Sequence, residues 1–239
     1  MAAIELNVLA KDLANAQQVM DASAGTAYVG VMVKHFPSVA AAIEQVDAYQ
    51  AAGVRVSVGL GAGDPAMWRK VVDVAVATKP VHVNQVLPAA GLTLGSLQVA
   101  GATTTLVNAL IAPGSEPGLV RVGTGPLSAS LPGEVSCDQA AAMLAEVGLS
   151  SVKFYPIGGD AMLDHLAAMV AAAVRVGVPV FEPTGGIDLA NFDAVITTCL
   201  EAGATHVMPH LYSSIIDSES GNTRPEDVAQ LFEQAARLA

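Results

Sequence analysis

Short runs of β-branched and other apolar residues alternate with longer, alanine-rich stretches along almost the whole chain. Strands that are buried on both faces read as near-continuous apolar runs, so the short runs predict such strands. The predicted strands are 5–9, 28–33, 55–60, 81–86, 104–111, 151–155, 178–181 and 206–211. The longer stretches predict the helices 13–22, 39–52, 65–77, 87–99, 137–147, 162–176, 192–202 and 225–238. Eight strands, each followed by a helix, favour an α/β fold of the (β/α)8 TIM-barrel type over an open doubly wound sheet.

One extra apolar run, at 119–123, interrupts the alternation between the fifth strand and its helix. We interpret it as an insertion that forms an added hairpin with 107–111. The chain of 239 residues has the length of one α/β barrel, and it contains no low-complexity linker. Residues 1–239 are therefore expected to form a single domain.

The amino-acid composition excludes some classes of binding partner for this protein. The net charge of −11 provides no basic stripe for nucleic acid, and no apolar run reaches the roughly 18 residues that span a bilayer. Two cysteines without paired spacing, and an N-terminus that lacks a secretory pattern, indicate the reducing cytoplasm. The alanine-rich apolar surface favours a homo-oligomer. We expect a cytoplasmic protein that binds a small molecule, with no nucleic-acid or membrane partner.

A lysine stands inside an apolar strand at Lys153, between Val152 and Phe154, although the chain has only five lysines. Burying an unpaired ammonium is costly, and desolvation lowers its pKa, so a buried lysine can attack a carbonyl as a neutral amine. We therefore interpret Lys153 as a nucleophile. The alternative is structural: the side chain reaches the rim, or a buried acid neutralises it.

Other polar residues follow the predicted strands, where a barrel gathers them at one mouth. The Gly185–Gly186 pair and the Ser213–Ser214 pair follow the last two strands, where phosphate sites in this fold are common. The expected substrate-binding residues are Lys34, Gly61, Gly63, Asn84, Thr184, Gly185, Gly186, His210, Ser213 and Ser214.

Several polar residues of the predicted site have more than one interpretation. Lys34 either contacts a substrate carboxylate, lowers the pKa of Lys153 by repulsion, or forms a salt bridge at the rim. Asp64 either transfers a proton or caps the next helix. Glu182 is either a general acid/base or the ion-pair partner of a lysine. His82 and His206 are expected to pack or to form buried hydrogen bonds. Neither a metal site nor a cofactor is expected from the pattern.

These residues carry a family resemblance. Val-Lys-Phe-Tyr-Pro at 152–156 resembles the Lys-Phe-Phe-Pro motif of the class I 2-keto-3-deoxy-6-phosphogluconate aldolases, and Pro-Thr-Gly-Gly-Ile at 183–187 resembles their phosphate loop. The Gly-Ala-Gly segment at 61–63 is similar to theirs after the third strand. Over nearly its whole length the chain looks closer to the KDGP aldolase family of bacterial glucosaminate and related sugar-acid pathways. The segments that carry this likeness are 6–10, 57–65, 82–86, 182–188 and 210–217.

The resemblance implies cleavage of 2-dehydro-3-deoxy-6-phosphogluconate to pyruvate and glyceraldehyde 3-phosphate. Lys153 would carry the imine, and Gly185 and Gly186 would hold the phosphate. The better-known aldolases place a glutamate and an arginine on the second strand, whereas this chain has no acid there. Glu182, Asp64 or a bound water are the candidates for the proton shuttle, and Lys34 is the candidate for the arginine's place.

Three other functions fit the same residues. A lysine-dependent aldolase of an unphosphorylated keto acid, such as 4-hydroxy-2-oxoglutarate, needs the nucleophile but no phosphate loop. A metal-dependent aldolase or an isomerase would use Lys153 only for its charge. A sugar-phosphate-binding regulatory or assembly protein would retain the phosphate loop without turnover.

Overall fold

The computed structural model describes residues 2–239 as one alternation of strands and helices. The strands are β1 (Ala3–Ile4), β2 (Asn7–Leu9), β3 (Tyr28–Met32), β4 (Val56–Gly59), β5 (His82–Val86), β6 (Leu106–Pro113), β7 (Leu119–Arg121), β8 (Val135–Ser136), β9 (Ser151–Phe154), β10 (Val180–Pro183), β11 (His206–Val207) and β12 (His210–Leu211). The helices are α1 (Leu13–Ala22), α2 (Val39–Ala51), α3 (Trp68–Thr78), α4 (Leu87–Val99), α5 (Cys137–Val147), α6 (Leu163–Arg175), α7 (Phe192–Glu201) and α8 (Pro225–Leu238).

The main sheet is parallel, in the order β1-β11-β10-β9-β6-β5-β4-β3-β2-β12. The last predicted strand, 206–211, is observed as two short strands, β11 and β12. The first, predicted at 5–9, is observed only as β2, and a further short strand, β1, precedes it. Strand β1 pairs with β11, and β2 pairs with β3 and with β12. Parallel pairing throughout places the carboxyl ends of all these strands at one edge of the fold.

Every residue of β3, β5, β9 and β10 is buried, as the continuous apolar runs predict for strands covered on both faces. The helices cover the sheet with their apolar sides, and one hydrophobic core extends through the fold. Helix α8 shows how local sequence determines where a helix begins. Pro225 is its first residue, and the acids Glu226 and Asp227 lie in its first turn, at the positive end of the helix dipole. None of the helices within residues 2–239 is both long and apolar enough to cross a membrane.

The predicted insertion is confirmed, but its pairing partner differs. Strand β7 pairs antiparallel with Ala112 and Pro113 at the end of β6, not with 107–111, and it also pairs with β8. The reason is that 107–111 already pairs on both sides, with β5 and β9. Several other predicted bounds differ from the observed ones by one to three residues. The helix predicted at 65–77 begins with a 3-10 turn before Trp68, and the strands predicted at 104–111 and 178–181 are Leu106–Pro113 and Val180–Pro183.

Candidate active site

A cavity of about 410 Å³ opens at the carboxyl ends of the strands, within the range of small-molecule sites. Most of the predicted site residues line it: Gly61, Gly63, Asn84, Lys153, Thr184, Gly185, Gly186, His210, Ser213 and Ser214. The other three, Lys34, Asp64 and Glu182, lie outside its lining. The topology therefore brings residues from distant parts of the sequence to one wall.

Lys153 lies near the end of β9 with only 8% of its surface exposed. Its Nζ donates to Oδ1 of Asn84 at 3.0 Å and lies 3.0 Å from Nδ1 of His210. Desolvation lowers the pKa of Lys153 to about 8, although the negative charge of Glu182 opposes the shift. At neutral pH about one tenth of such lysines are uncharged, which is enough for a nucleophile.

Glu182 is fully buried and receives four hydrogen bonds. His82 Nε2 lies 3.0 Å from Oε1, and Ser151 Oγ lies within hydrogen-bond distance of the same oxygen. Asn108 Nδ2 and His210 Nε2 lie 2.6 and 2.7 Å from Oε2. Burial alone would raise the pKa of Glu182, but the hydrogen bonds that His210 and His82 donate to it hold that pKa well below its ordinary value. This residue is therefore an ionised carboxylate that is saturated with donors.

The hydrogen bonds around Ser57 fix the direction of the network. Its Oγ accepts from the amide nitrogens of Asn7 and Asn84, at 3.1 and 2.8 Å. With both acceptor positions filled, the hydroxyl proton points to Nδ1 of His82, at 2.7 Å. The Nδ1 of His82 therefore accepts from Ser57, and its Nε2–H donates to Glu182. It forms buried hydrogen bonds, as the sequence predicted.

His210 connects this buried network to the cavity. Its Nε2 faces Glu182, while its Nδ1 faces both Lys153 Nζ and the hydroxyl of Tyr212, which lies 3.0 Å away. Burial, reinforced by the charge of Lys153, lowers the pKa of His210 to about 3, so the ring is neutral. Within residues 2–239, no group of three or more His, Cys, Asp or Glu side chains is arranged to bind a metal ion.

The Gly185–Gly186 loop is held from behind through its carbonyl groups. Gly185 O accepts from Gly159 N at 2.8 Å, and Gly186 O accepts from Asn191 Nδ2 at 2.9 Å. A trans peptide points its N–H opposite to its C=O, so the N–H groups of Gly186 and Ile187 point away from these contacts. Both residues line the cavity. The loop thus offers donors to an anion.

Lys34 and Asp64 form a salt bridge of 2.9 Å at the outer side of the cavity. The lysine side chain is half exposed. Asp64 also accepts from Ala66 N at 3.0 Å, which caps the following 3-10 turn. Both observed contacts correspond to the structural alternatives that the sequence left open.

Sequence reasoning missed several cavity residues, of which Tyr155 and Tyr212 are the largest. Tyr155 immediately follows β9 and Tyr212 immediately follows β12, so their positions at strand ends could have indicated that they line the cavity. Gly30, on the second strand of the alternation, is closely surrounded by side chains. A Cβ at Gly30 would lie 2.8 Å from side-chain atoms of Leu9 and Met32, and 3.5 Å from the hydroxyl of Tyr212. Those side chains occupy the space that a side chain at Gly30 would need.

Three solved structures share the fold. N-(5'-phosphoribosyl)anthranilate isomerase from Pyrococcus furiosus is 14% identical with a TM-score of 0.59, covering 98% of this chain and 99% of that one. The 3-hexulose-6-phosphate synthase is 16% identical with a TM-score of 0.58, covering 98% and 99%. KGPDC from Streptococcus mutans is 12% identical with a TM-score of 0.58, covering 100% and 99%. At these identities the TIM-barrel-like enzymes show the fold alone.

Sequence similarity is more informative. A 2-dehydro-3-deoxy-phosphogluconate aldolase from Salmonella typhimurium (strain 14028s / SGSC 2262) is 45% identical over 231 residues, covering 96% of this chain and 94% of that protein. The sequence model of the family described as KDGP aldolase matches residues 1–219, which include Lys153, Glu182 and His210. The chain therefore belongs to the KDGP aldolase family.

Proposed function

We propose that this protein is a class I aldolase that cleaves 2-dehydro-3-deoxy-6-phosphogluconate to pyruvate and glyceraldehyde 3-phosphate through an imine on Lys153. The observation that carries the proposal is the buried lysine, with a pKa of about 8, whose amine lies at the wall of a substrate-sized cavity. The name of the Salmonella relative supports the reaction and the substrate class.

In this mechanism the neutral amine of Lys153 adds to the C2 carbonyl, and loss of water gives an iminium. The iminium accepts the electron pair of the C3–C4 bond as a base removes the proton of the C4 hydroxyl. Glyceraldehyde 3-phosphate leaves, the enamine is protonated at C3, and water releases pyruvate. The lowered pKa of Lys153 favours the first step, because only the free amine is nucleophilic.

The substrate's two anionic ends match two groups of backbone donors. The N–H groups of Gly186 and Ile187 would hold the phosphate, and the hydroxyl of Ser213, which lines the same cavity, would be a further donor. Ser214 supports the loop instead, since its hydroxyl donates to Ile187 O at 2.7 Å. The segment Gly61–Gly63 lines the cavity too and would receive the carboxylate. Lys34 and Asp64, which do not line the cavity, would stay in their salt bridge and would not contact the substrate directly.

We further propose that the sheet closes as an eightfold (β/α)8 barrel in a single domain. The pairing of β1 with β11 and of β2 with β12 supports this, because it joins the first and the last strand of the alternation. Cys137 and Cys199 are free and buried, which fits the proposed cytoplasmic location. Leu92 and Val99 on α4 are exposed apolar side chains that fit a homo-oligomer.

The direct test is reduction of the imine. Wild-type protein, incubated with pyruvate and borohydride, should gain one reduced pyruvate adduct that peptide mass spectrometry locates at Lys153. Lys153→Arg should gain none, whereas the matched variant Lys79→Arg, at an exposed lysine after α3, should gain as much as the wild type. An adduct elsewhere, or none in the wild type, would overturn the proposal.

A second measurement separates the phosphorylated substrate from its rivals. Hydrogen bonds to a charged group are worth about 1.5–3 kcal/mol each, so the phosphate should raise kcat/KM by about 100-fold or more over the dephosphorylated compound. Equal or better turnover of 4-hydroxy-2-oxoglutarate would instead assign an unphosphorylated keto acid.

A further inference from the structure

We propose that His210 is a second catalytic residue: its Nδ1 takes a proton from Nζ of Lys153 and delivers it to the C2 oxygen that leaves as water. This inference rests on the proposed Schiff-base function. It follows from one line of contacts, in which Nδ1 lies 3.0 Å from Nζ while Nε2 lies 2.7 Å from Glu182 Oε2. Glu182 is in this arrangement a positioning residue.

The acids that the sequence singled out are badly placed for this task. Glu182 is completely buried, does not line the cavity and already receives hydrogen bonds on both oxygens. Asp64 lies at the rim in its salt bridge with Lys34. Tyr212 lines the cavity, but burial raises the pKa of its hydroxyl, so the hydroxyl stays protonated and no phenolate is present to take the proton. His210 both lines the cavity and contacts the reacting nitrogen.

The tautomer of His210 is determined by its neighbours. An ionised carboxylate can only accept, so Nε2 carries the hydrogen toward Glu182, and Nδ1 carries a lone pair toward the lysine. Three titratable side chains from other strands surround the ring: Lys153 on β9, Glu182 on β10 and His82 on β5, whose ring centroid lies 6.2 Å away. Because the Lys153 charge is one cause of the ring's weak basicity, moving the proton onto the ring removes that repulsion.

The proton count closes with this one ring. Starting from the neutral amine, the nitrogen bonds to C2 while the carbonyl electron pair moves to oxygen. Nδ1 takes a proton from the new ammonium nitrogen and delivers it to that oxygen, which gives a carbinolamine. Nδ1 then takes one proton from solvent and delivers it to the hydroxyl as the C–O bond breaks. An amine, a ketone and one solvent proton have then become a protonated imine and water, with the ring neutral again.

The neighbouring hydroxyl stabilises the protonated ring. Tyr212 Oη lies 3.0 Å from Nδ1 and 3.4 Å from Oδ1 of Asn7. When Tyr212 donates to Asn7, its oxygen can accept from the Nδ1–H of the imidazolium. The buried carboxylate of Glu182 balances the positive charge from the other side of the ring. Both contacts exist before substrate binds, so little reorganisation is needed.

Rapid-quench trapping with pyruvate and borohydride tests the step. We expect His210→Gln to form the imine about 100- to 1,000-fold more slowly than the wild type, a typical loss for a general base, while the final amount of adduct at Lys153 stays the same. His82→Gln is the matched control, since it removes an equivalent hydrogen bond to Glu182 without touching Lys153. Added imidazole should accelerate His210→Ala but not His82→Ala.

Glu182→Gln provides a variant that keeps the ring. The glutamine amide group would face a ring N–H and favour the other tautomer of His210, so imine formation should slow with little change in KM, and the nitrogen NMR shifts of the ring should exchange. Equal slowing in the His210 and His82 variants, or no imidazole rescue, would overturn the role of His210. No adduct in the wild type would overturn the proposed function itself, and this step with it.

Discussion

Lys153 and Glu182 are register neighbours on adjacent parallel strands, and His210 bridges their charged ends. The carboxylate therefore acts on the lysine across a ring instead of through a direct pair. At that separation its attraction offsets only part of the desolvation cost, and the pKa of Lys153 remains lowered, at about 8. Strand register thus places the carboxylate close enough to balance charge yet leaves the amine reactive.

The rate of imine formation should follow the ionisation of Lys153. Below its pKa of about 8 the neutral fraction grows about tenfold per pH unit, and above that value it levels off. The initial rate of trapping with pyruvate, measured from pH 6 to 10, should therefore rise and reach a plateau near pH 8. A plateau near pH 10.5, where an ordinary lysine ionises, would show that the amine is solvated.

The cost in stability of burying Lys153 should disappear over a defined pH window. Its pKa falls from 10.5 unfolded to about 8 folded, so between these values the unfolded state holds the extra proton and stability rises with pH. Relative to Lys153→Met, the wild type should gain about 3 kcal/mol of unfolding free energy between pH 8 and pH 10.5. Urea titrations of both proteins across that range measure the difference, and parallel curves would contradict the prediction.

The order of strands and helices was predictable because continuous apolar runs and alanine-rich stretches have different lengths and periods. Helices α1, α4, α5 and α8 have the predicted bounds. The insertion was visible as a break in the alternation, but its partner strand was not. Pairing on both sides of 107–111 is a tertiary property that no local pattern records.

The candidate site was predictable as a list of residues but not as a network. A lysine among apolar residues and a glycine pair after a strand are local signals. Whether Glu182 faces Lys153 directly depends on the position of the His210 ring, and His210 lies 28 residues after Glu182 in the sequence. Ser57 and Ser151 gave no signal as single hydroxyls in apolar strands, yet they complete the hydrogen bonding of His82 and Glu182.

The phosphate loop can be tested at Gly186. Its φ is +74°, and a Cβ there would lie 2.6 Å from Gly159 N and 2.9 Å from Gly158 C, which are backbone atoms that cannot easily move. Gly186→Ala should therefore displace the N–H groups and raise KM for the phosphorylated substrate by about tenfold or more, the loss of one charged hydrogen bond. Trapping of Lys153 by pyruvate, which has no phosphate, should be nearly unaffected.

Gly53→Ala is the control for strain alone. Gly53 has a similar φ of +78°, with nothing within 4 Å of a Cβ. It should lose about 1 kcal/mol of stability with unchanged kinetics. If Gly53→Ala and Gly186→Ala have the same KM, the phosphate does not bind at this loop.

A separate cluster at the amino ends of the strands should govern acid stability. Glu5 accepts hydrogen bonds from Arg55 and His206, both at 2.8 Å. Burial would raise the pKa of Glu5, but these bonds and charges outweigh it and lower the pKa from 4.5 to about 2. The folded carboxylate therefore contributes stability that is complete above pH 4.5 and is lost as the pH falls toward 2.

Glu5→Gln should accordingly be about 2 kcal/mol less stable than the wild type at pH 7, a value reduced for the partial exposure of the side chain. The difference should shrink between pH 4.5 and pH 2, because the wild type then loses the same charge. Glu146→Gln, at an exposed position of α5, should stay within about 0.5 kcal/mol of the wild type. Denaturant titrations at several pH values measure all three proteins, and a Glu5→Gln deficit that persists at pH 2 would show that packing rather than charge is responsible.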